Sequence, residues 1–289
     1  MHLTFENVRK NYGSKEALKG ISFNLTEGIY GLLGPNGAGK STLMNIITGN
    51  LTATSGRILV DGADICKEDH NIAAKIGYMP QQQAFYPGFS AEQFMFYIAS
   101  LQRMTKKAAS DRIGYLLEKV GLYNERKRPI GSFSGGMRQR LLFAQSLISD
   151  PDILVLDEPS AGLDPKQRII MRNLIGSLSV NKIIIISTHI VSDVDCIANR
   201  FFLLSEGNIV SSGTYSELTD ELKDRIWTAQ VPQCDLDNMS QYGTVCNIQR
   251  STGDMYLVKI LSETPPPYSN NAAIPNLEDV YLSYFGDQL

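Results

Sequence analysis

The first thirty residues alternate apolar and polar positions, with Leu3, Phe5 and Val8 followed by Leu18, Ile21, Phe23 and Leu25. That period predicts short antiparallel strands with one buried face. Gly28-Ile29-Tyr30-Gly31-Leu32-Leu33 is a continuous apolar run, the pattern of a strand covered on both faces, and a glycine-rich turn leads from it into a helical run from Lys40 to Thr48. Turn residues bracket a further strand inside 54–62, and Pro80 ends another over 76–79. From Ser90 the period becomes helical. Ser90-Ala91-Glu92-Gln93 fits a capping box, with Phe94, Tyr97, Ile98 and Leu101 following at helical spacing. A second helix runs to about Val120 and is closed by Gly121.

Residues of about 90–150 thus predict a helical subdomain inserted into an α/β core. After Pro151 the alternation resumes, with an apolar strand at 153–156, a helix with Asp164 as N-cap and Pro165 at its first position, and a strand at 182–187. Continuous apolar strands alternating with helices imply a parallel sheet covered on both faces. Beyond residue 215 the pattern gives a short helix, strands near 227–231, 244–248 and 255–261, a loop at Pro265-Pro266-Pro267 and a last helix from Asn276. The expected organisation is a main domain over 1–215 and a small α+β accessory module over 216–289.

Composition narrows the class. With 43% hydrophobic and 20% charged residues in 289, the chain is neither disordered, fibrous nor disulfide-dense. Its apolar runs fall far short of the roughly 20 residues that span a bilayer, so a membrane role would come through a partner. The opening Met1-His2-Leu3-Thr4-Phe5-Glu6 has no basic stretch followed by an apolar one, and a cytoplasmic location is expected. Cys66, Cys196, Cys234 and Cys246 form no C-x-x-C pair and read as reduced, structural thiols. The net charge of −3 is uneven: −7 from Ser216 onward and +4 before it. That asymmetry supports a boundary near 215 and weighs against nucleic-acid binding by the tail.

Gly34-Pro35-Asn36-Gly37-Ala38-Gly39-Lys40-Ser41 satisfies G-x-x-x-x-G-K-S/T, after a strand and opening a helix. Its glycines let backbone N–H groups curl around phosphates, Lys40 can reach the β and γ phosphates, and Ser41 can ligate Mg²⁺. The strand at 153–156 ends in Asp157 and Glu158, at the edge of the sheet where ligands bind. Asp157 can hold the water shell of Mg²⁺ and Glu158 can accept from an attacking water. Alone, Asp-Glu-Pro would also serve simply to end a strand. His189 follows the third strand toward the same edge, with His70 the other histidine of the chain interior; a hydrogen bond to a γ-phosphate and a satisfied core position both suit it. Ser134-Gly135-Gly136 precedes an amphipathic helix carrying Arg138 and Arg140, where Ser134 is a natural N-cap and the glycines leave N–H groups uncovered. This is either a second anion site or a plain cap.

In that order, these residues resemble the nucleotide-binding subunit of ATP-binding-cassette (ABC) transporters over about 1–215. The correspondence runs through the phosphate loop from Gly34 to Thr42, a glutamine loop Gly77-Tyr78-Met79-Pro80-Gln81 with Gln82 and Gln83 next, and the signature Phe133-Ser134-Gly135-Gly136-Met137. It continues through the carboxylate strand, the loop Ser160-Ala161-Gly162-Leu163-Asp164 and the switch residue His189. The resemblance implies a P-loop NTPase core with an antiparallel β subdomain. It implies ATP and Mg²⁺ as ligands, the phosphate-loop residues including Ala38 and Thr42 around the nucleotide, and Tyr12 stacked on adenine. Ser41, Gln81 and Asp157 would lie on the metal, with Glu158, His189 and Gln81 as catalytic groups. Two subunits would sandwich two ATP head to tail, Ser134, Gly135 and Gly136 of one meeting the phosphate held by Lys40 of the other. Phe133 stands where Leu is usual and Met137 where many members have Gln, variants that occur among exporter-type members.

The ending Asn276-Leu277-Glu278-Asp279-Val280-Tyr281-Leu282 is similar to the closing helix of ATPases that drive small exporters with separate membrane subunits. The expectation is an exporter ATPase, in a homodimer or heterodimer, bound to a transmembrane permease on another chain at the cytoplasmic face, with no nucleic-acid partner. An importer ATPase, a soluble ABC-type ATPase acting on ribosomes or nucleic acid, and a non-hydrolysing regulatory module are the alternatives. No coiled-coil insertion, second cassette or lost catalytic residue favours the last two.

Overall fold

A computed structural model describes residues 1–66, 74–81 and 85–286; His70, Gln82 and Gln83 lie outside them. The described chain divides into two compact units, Met1–Val210 and Ser211–Leu289.

In the first unit the alternating N-terminal segment forms β1 (Leu3–Tyr12) and β2 (Lys15–Leu25), paired antiparallel. The parallel-sheet run that follows is β3 (Gly28–Leu33), and β4 (Ser55–Val60) with β5 (Ala63–Asp64) completes the first sheet in the order β2-β1-β4-β5. The second sheet contains β6 (Ile76–Met79), β7 (Ile153–Asp157), β8 (Ile183–Thr188), β9 (Arg200–Ser205) and β10 (Asn208–Gly213), in the order β10-β9-β3-β8-β7-β6. The contiguous strands β9, β3, β8, β7 and β6 pair in parallel. Every residue of β7 and β8 is buried, which is why both read as unbroken apolar runs rather than alternations.

Helix α1 (Lys40–Ile47) lays Leu43, Met44, Ile46 and Ile47 into a core that also takes Phe5, Leu18 and Ile21 from the first sheet and Val155, Ile183 and Ile185 from the second. Phe23 bridges the two sheets, its ring centroid 4.0 Å from Phe5 and 4.5 Å from Phe202. The middle of the chain is helical as expected: α2 (Ala91–Leu101), α3 (Lys106–Lys119) and α4 (Gly135–Ser146). Ser90 and Gln93 form the reciprocal capping box, and Gly121 adopts φ +67° just past α3. Helix α5 (Pro165–Ser177) starts from an Asp164 cap, whose Oδ1 accepts from Gln167 N–H at 2.9 Å.

Strand β6 passes so close to α4 that a Cβ on Gly77 would lie 2.1 Å from the Ser146 carbonyl oxygen. The nearest atom is backbone and the next, Pro151 Cγ at 2.7 Å, belongs to a rigid ring, which leaves little room to yield. Gly77→Ala is therefore expected to cost about 1–3 kcal/mol, read as a lowered denaturation midpoint at unchanged m.

The second unit has α6 (Tyr215–Asp220) and a four-stranded antiparallel sheet of β11 (Ile226–Pro232), β12 (Thr244–Arg250), β13 (Met255–Leu261) and β14 (Ser269–Ala272), in the order β12-β13-β11-β14. One face packs Ala229, Val231, Val258 and Ile260 with Met239 of a 3-10 helix, Gln233–Tyr242. Helix α7 (Leu277–Phe285) packs against α6 and β12, capped at Asn276. The nearly inaccessible Asp279 (2% exposed) accepts from the Asn276 N–H at 2.8 Å and from Lys259 Nζ at 2.6 Å.

Strands β5, β9, β10 and β14 were not among the elements expected from the pattern. The thiols also differ from expectation. All four are free, but Cys66, Cys196 and Cys234 are exposed, so they are not packing residues. Cys246 is half-buried, and burial, with Asp279 nearby, pushes its thiol up to about 12. Among the described residues no helix is long and apolar enough to cross a membrane.

Candidate active site

Register brings three loops together. Leu33 pairs with Thr188 and Asp157 with Ser187, so the chain leaves β3, β7 and β8 at one carboxyl edge, placing Gly34, Glu158 and His189 next to it. This is the position at which parallel sheets bind ligands.

The loop after β3 is held open by glycine. Gly39 is the N-cap of α1 at φ 110°, and a Cβ there would meet the Ala17 carbonyl at 2.8 Å. No side chain caps this helix, so its first N–H groups remain available to an anion. Lys40 is 6% exposed, and its Nζ donates to the carbonyls of its own loop, Gly34 O at 2.6 Å and Pro35 O at 3.0 Å. Burial lowers its pKa from the ordinary lysine value, against the opposing pull of Glu158 and Asp157.

The carboxylates are held differently from each other. Asp157 is buried, and its Oδ1 accepts from the Ser187 hydroxyl. Glu158 is 5% exposed and adopts φ +51°, a left-handed conformation that is costly outside glycine, with its N–H donating to Ser187 O at 3.0 Å. Its Oε1 lies 2.9 Å from Nδ1 of His189, which assigns the imidazole proton to that nitrogen. Its Oε2 is buried and has no partner among the described residues. A carboxylate oxygen left unsatisfied in a polar pocket is a vacant acceptor for a substrate or water proton. The His189 side chain is 46% exposed, so it forms the rim rather than part of a core.

One pocket is lined by Tyr12, Asn36, Gly37, Gly39, Lys40, Ser41, Thr42, Gln81 and Glu158, together with Lys15 and Ala17, which the sequence reading did not single out. Gly34, Pro35 and Ala38 belong to the same loop, with Gly34 and Ala38 buried beneath it. Tyr12 is half exposed at this pocket, with Lys10 Nζ 5.3 Å from its ring centroid. Ser134, Gly135 and Gly136 line no part of the pocket. Ser134 Oγ accepts from Met137 N–H at 3.3 Å, Ser134 and Gly135 are exposed, and Gly136 is packed where a Cβ would lie 2.6 Å from Gln167 Oε1. The exposed start of α4 is thus a separate anion-compatible surface.

The donors fit Mg²⁺. Ser41 and Gln81 line the pocket and carry oxygen donors, whereas Asp157, buried and next in sequence to Glu158, does not line it and holds its Oδ1 on the Ser187 hydroxyl. Among the described residues no group of three or more His, Cys, Asp or Glu side chains could hold a metal alone. A hard cation bound by few protein oxygens, with phosphates and water completing the shell, matches that set.

The family model described as "ABC transporter" matches residues 18–161. The linearmycin resistance ATP-binding protein LnrL of Bacillus subtilis is 37% identical over 222 residues, 76% of this chain and 71% of its own. The lantibiotic transport ATP-binding protein SrtF of Streptococcus pyogenes is 39% identical over 224 residues, 76% of this chain and 95% of its own. Among solved structures, the dimeric post-hydrolysis state of the ATP-binding cassette MJ0796, bound to ADP and Pi, superposes with a TM-score of 0.66 at 25% identity, covering 73% of this chain and 98% of that one. With these relatives matched across most of both chains, and the phosphate loop, carboxylate strand and histidine meeting at one sheet edge, the chain belongs to the ABC transporter family, as one of its ATP-binding, ATP-hydrolysing members.

Proposed function

We propose that this chain powers export through a separate transmembrane permease, acting at the cytoplasmic face of the membrane as a dimer of ATP-binding subunits. Residues 1–215 carry the ATPase and 216–289 form an accessory module. The observation that carries the hydrolytic reading is the state of Glu158, one oxygen held by His189 and the other buried without a partner in the pocket of Lys40.

In this reading Lys40 exchanges the Gly34 and Pro35 carbonyls for β- and γ-phosphate oxygens, and the loop N–H groups of 34–42 complete the cradle. Ser41, Gln81 and Asp157 hold Mg²⁺, which when bound supplies charge neutralisation at the phosphates. Glu158 Oε2 accepts a proton from water, orienting it, while His189 fixes Oε1 and faces the γ-phosphate. Ser134, Gly135 and Gly136 bind the γ-phosphate carried by the opposite subunit, so two phosphates join two chains and hydrolysis releases them. Tyr12 stacks on the base. Tyr12→Ala is expected to weaken ATP binding about 2- to 10-fold in equilibrium titration, leaving the melting temperature unchanged because the ring is half exposed.

Export is supported by the names of LnrL and SrtF, a resistance and a transport protein. Permease docking is supported by an aromatic patch close after Gln81 in the chain: Tyr86 (52% exposed) and Tyr97 (40%) meet edge to face at 5.9 Å, with Phe89 5.0 Å from Tyr86. Exposed aromatics of this kind anchor protein interfaces. The test is co-expression with a membrane protein encoded beside this chain, followed by ATPase measurement with and without that partner in lipid. Co-purification and partner-stimulated hydrolysis are expected. Activity responding instead to ribosomes or nucleic acid would overturn the reading. The double variant Tyr86→Ala/Tyr97→Ala is expected to keep basal hydrolysis and lose stimulation.

A further inference from the structure

The loop after Glu158 and the turn after β8 are tied together twice. At one end His189 Nδ1 meets Glu158 Oε1, and at the other the buried Ser160 hydroxyl donates to Asp193 Oδ2. Asp193 ends a 3-10 turn, Val191–Asp193, whose Ser192 carbonyl also accepts from Arg172 Nη1 of α5 at 3.0 Å. The facing loop is folded on itself, Ala161 N–H donating to Glu158 O and Leu163 N–H to Ser160 O, each at 3.1 Å. Both strands of this arrangement are therefore short, internally bonded and cross-linked by side chains at each end.

The two ties differ in exposure. The His189 ring is nearly half exposed at the rim, where its contact with Glu158 opposes rotation into solvent. The Ser160 tie is part-buried, with Ser160 itself buried, and neither Ser160 nor Asp193 lines the nucleotide pocket. A bond that touches no ligand but fixes the backbone carrying a rim imidazole acts on geometry alone. We propose that Ser160 and Asp193 are positioning residues, whose hydrogen bond clamps the His189 turn onto the Glu158 loop and so keeps the imidazole on the carboxylate. This rests on the reading of Glu158 and His189 as the hydrolytic pair. Displacing such a pair by about 1 Å costs up to about 100-fold in rate without loss of ligand contacts.

The full-length chain is compared with Ser160→Ala, Asp193→Ala, their double variant and Ser160→Thr, with Glu158→Gln as reference. The readings are kcat and KM for ATP, and the ring ¹⁵N signal of His189 in nucleotide-free protein. Ser160→Ala and Asp193→Ala are each expected to lower kcat by about 10- to 100-fold with KM within about 2-fold. The double variant should lose no more than either single one, since both remove the same bond. Ser160→Thr, which keeps the hydroxyl, should restore kcat, and the His189 signal should move toward that of a free imidazole in both single variants. Unchanged kcat, a loss carried by KM, additive losses or an unmoved His189 signal would each overturn the clamp. If Asp193→Ala fails to fold, Ser160→Ala against Ser160→Thr decides alone. Normal turnover by Glu158→Gln would instead remove the hydrolytic reading, whereas an inactive Glu158→Gln beside a fully active Ser160→Ala removes the clamp only.

Discussion

Glu158→Gln is expected to bind ATP as tightly as the unmodified chain while its turnover falls by about 10²- to 10⁴-fold. The substitution keeps size and shape, and the amide oxygen still accepts from His189 Nδ1, so the rim of the pocket is preserved. What changes is the second position. In the native chain Oε2 is a buried acceptor without a partner, whereas an amide NH₂ placed there can only donate. Water then loses the group that takes its proton, but the contacts of Lys40 and the phosphate loop are untouched. With ATP bound and not consumed, the variant should also elute as a stable dimer. Phosphate release within a few-fold of the native rate would show that another group takes the proton.

The largest effect on stability is expected at Asp279. Its carboxylate holds the Lys259 ammonium and the Asn276 N–H at the same oxygen, in a place with almost no solvent. Asp279→Ala removes the return bond of the capping box, while Asn276 Oδ1 keeps the N–H of residue 279, and it leaves a largely buried ammonium with the Ile274 carbonyl at 3.3 Å as its remaining partner among the described residues. The loss of one partner of a buried pair costs about 3–5 kcal/mol. Trp227, the single tryptophan, lies in β11 of the same unit and donates to Ser262 O at 3.1 Å, so its fluorescence reports this unit during denaturation. The fluorescence midpoint should drop sharply while the ATPase unit, followed by nucleotide binding, is less affected. Replacing both partners, Lys259→Met with Asp279→Leu, should recover most of the loss, because an apolar pair of similar volume leaves no charge unpaired. A midpoint for Asp279→Ala equal to that of the native chain would mean that the pair contributes no net stability.

The elements that were legible in sequence are those whose signals are local. Caps at Ser90, Asp164 and Asn276 begin helices where their hydroxyl, carboxylate and amide groups foretell it, and the unbroken apolar runs of β3, β7 and β8 are the centre of the parallel sheet. The hairpin of β9 and β10 did carry a local sign, the turn Glu206-Gly207 with φ +44° and +82°, flanked by Phe201–Leu204 on one side. Strand β14 had no such sign. Its polar Ser-Asn-Asn-Ala segment is a strand through pairing with β11, a contact distant in sequence. At the site, the residues were legible and their relations were not. That Ser187 holds Asp157, that Glu158 meets His189, and that Lys15 joins the pocket all depend on strand register rather than on spacing along the chain.

The self-contact of Lys40 has a consequence for selectivity. Its ammonium donates to two carbonyls of the loop that would receive the ligand, so the site is not a standing trap for any passing anion. A ligand must offer enough negative charge, on enough oxygens at once, to outbid those carbonyls and to satisfy the free N–H groups at the start of α1 as well. Free inorganic phosphate or a nucleoside monophosphate reaches only part of that set. The loop thus behaves as a latch that a polyphosphate chain opens, which makes occupancy a report on nucleoside polyphosphates rather than on total anion.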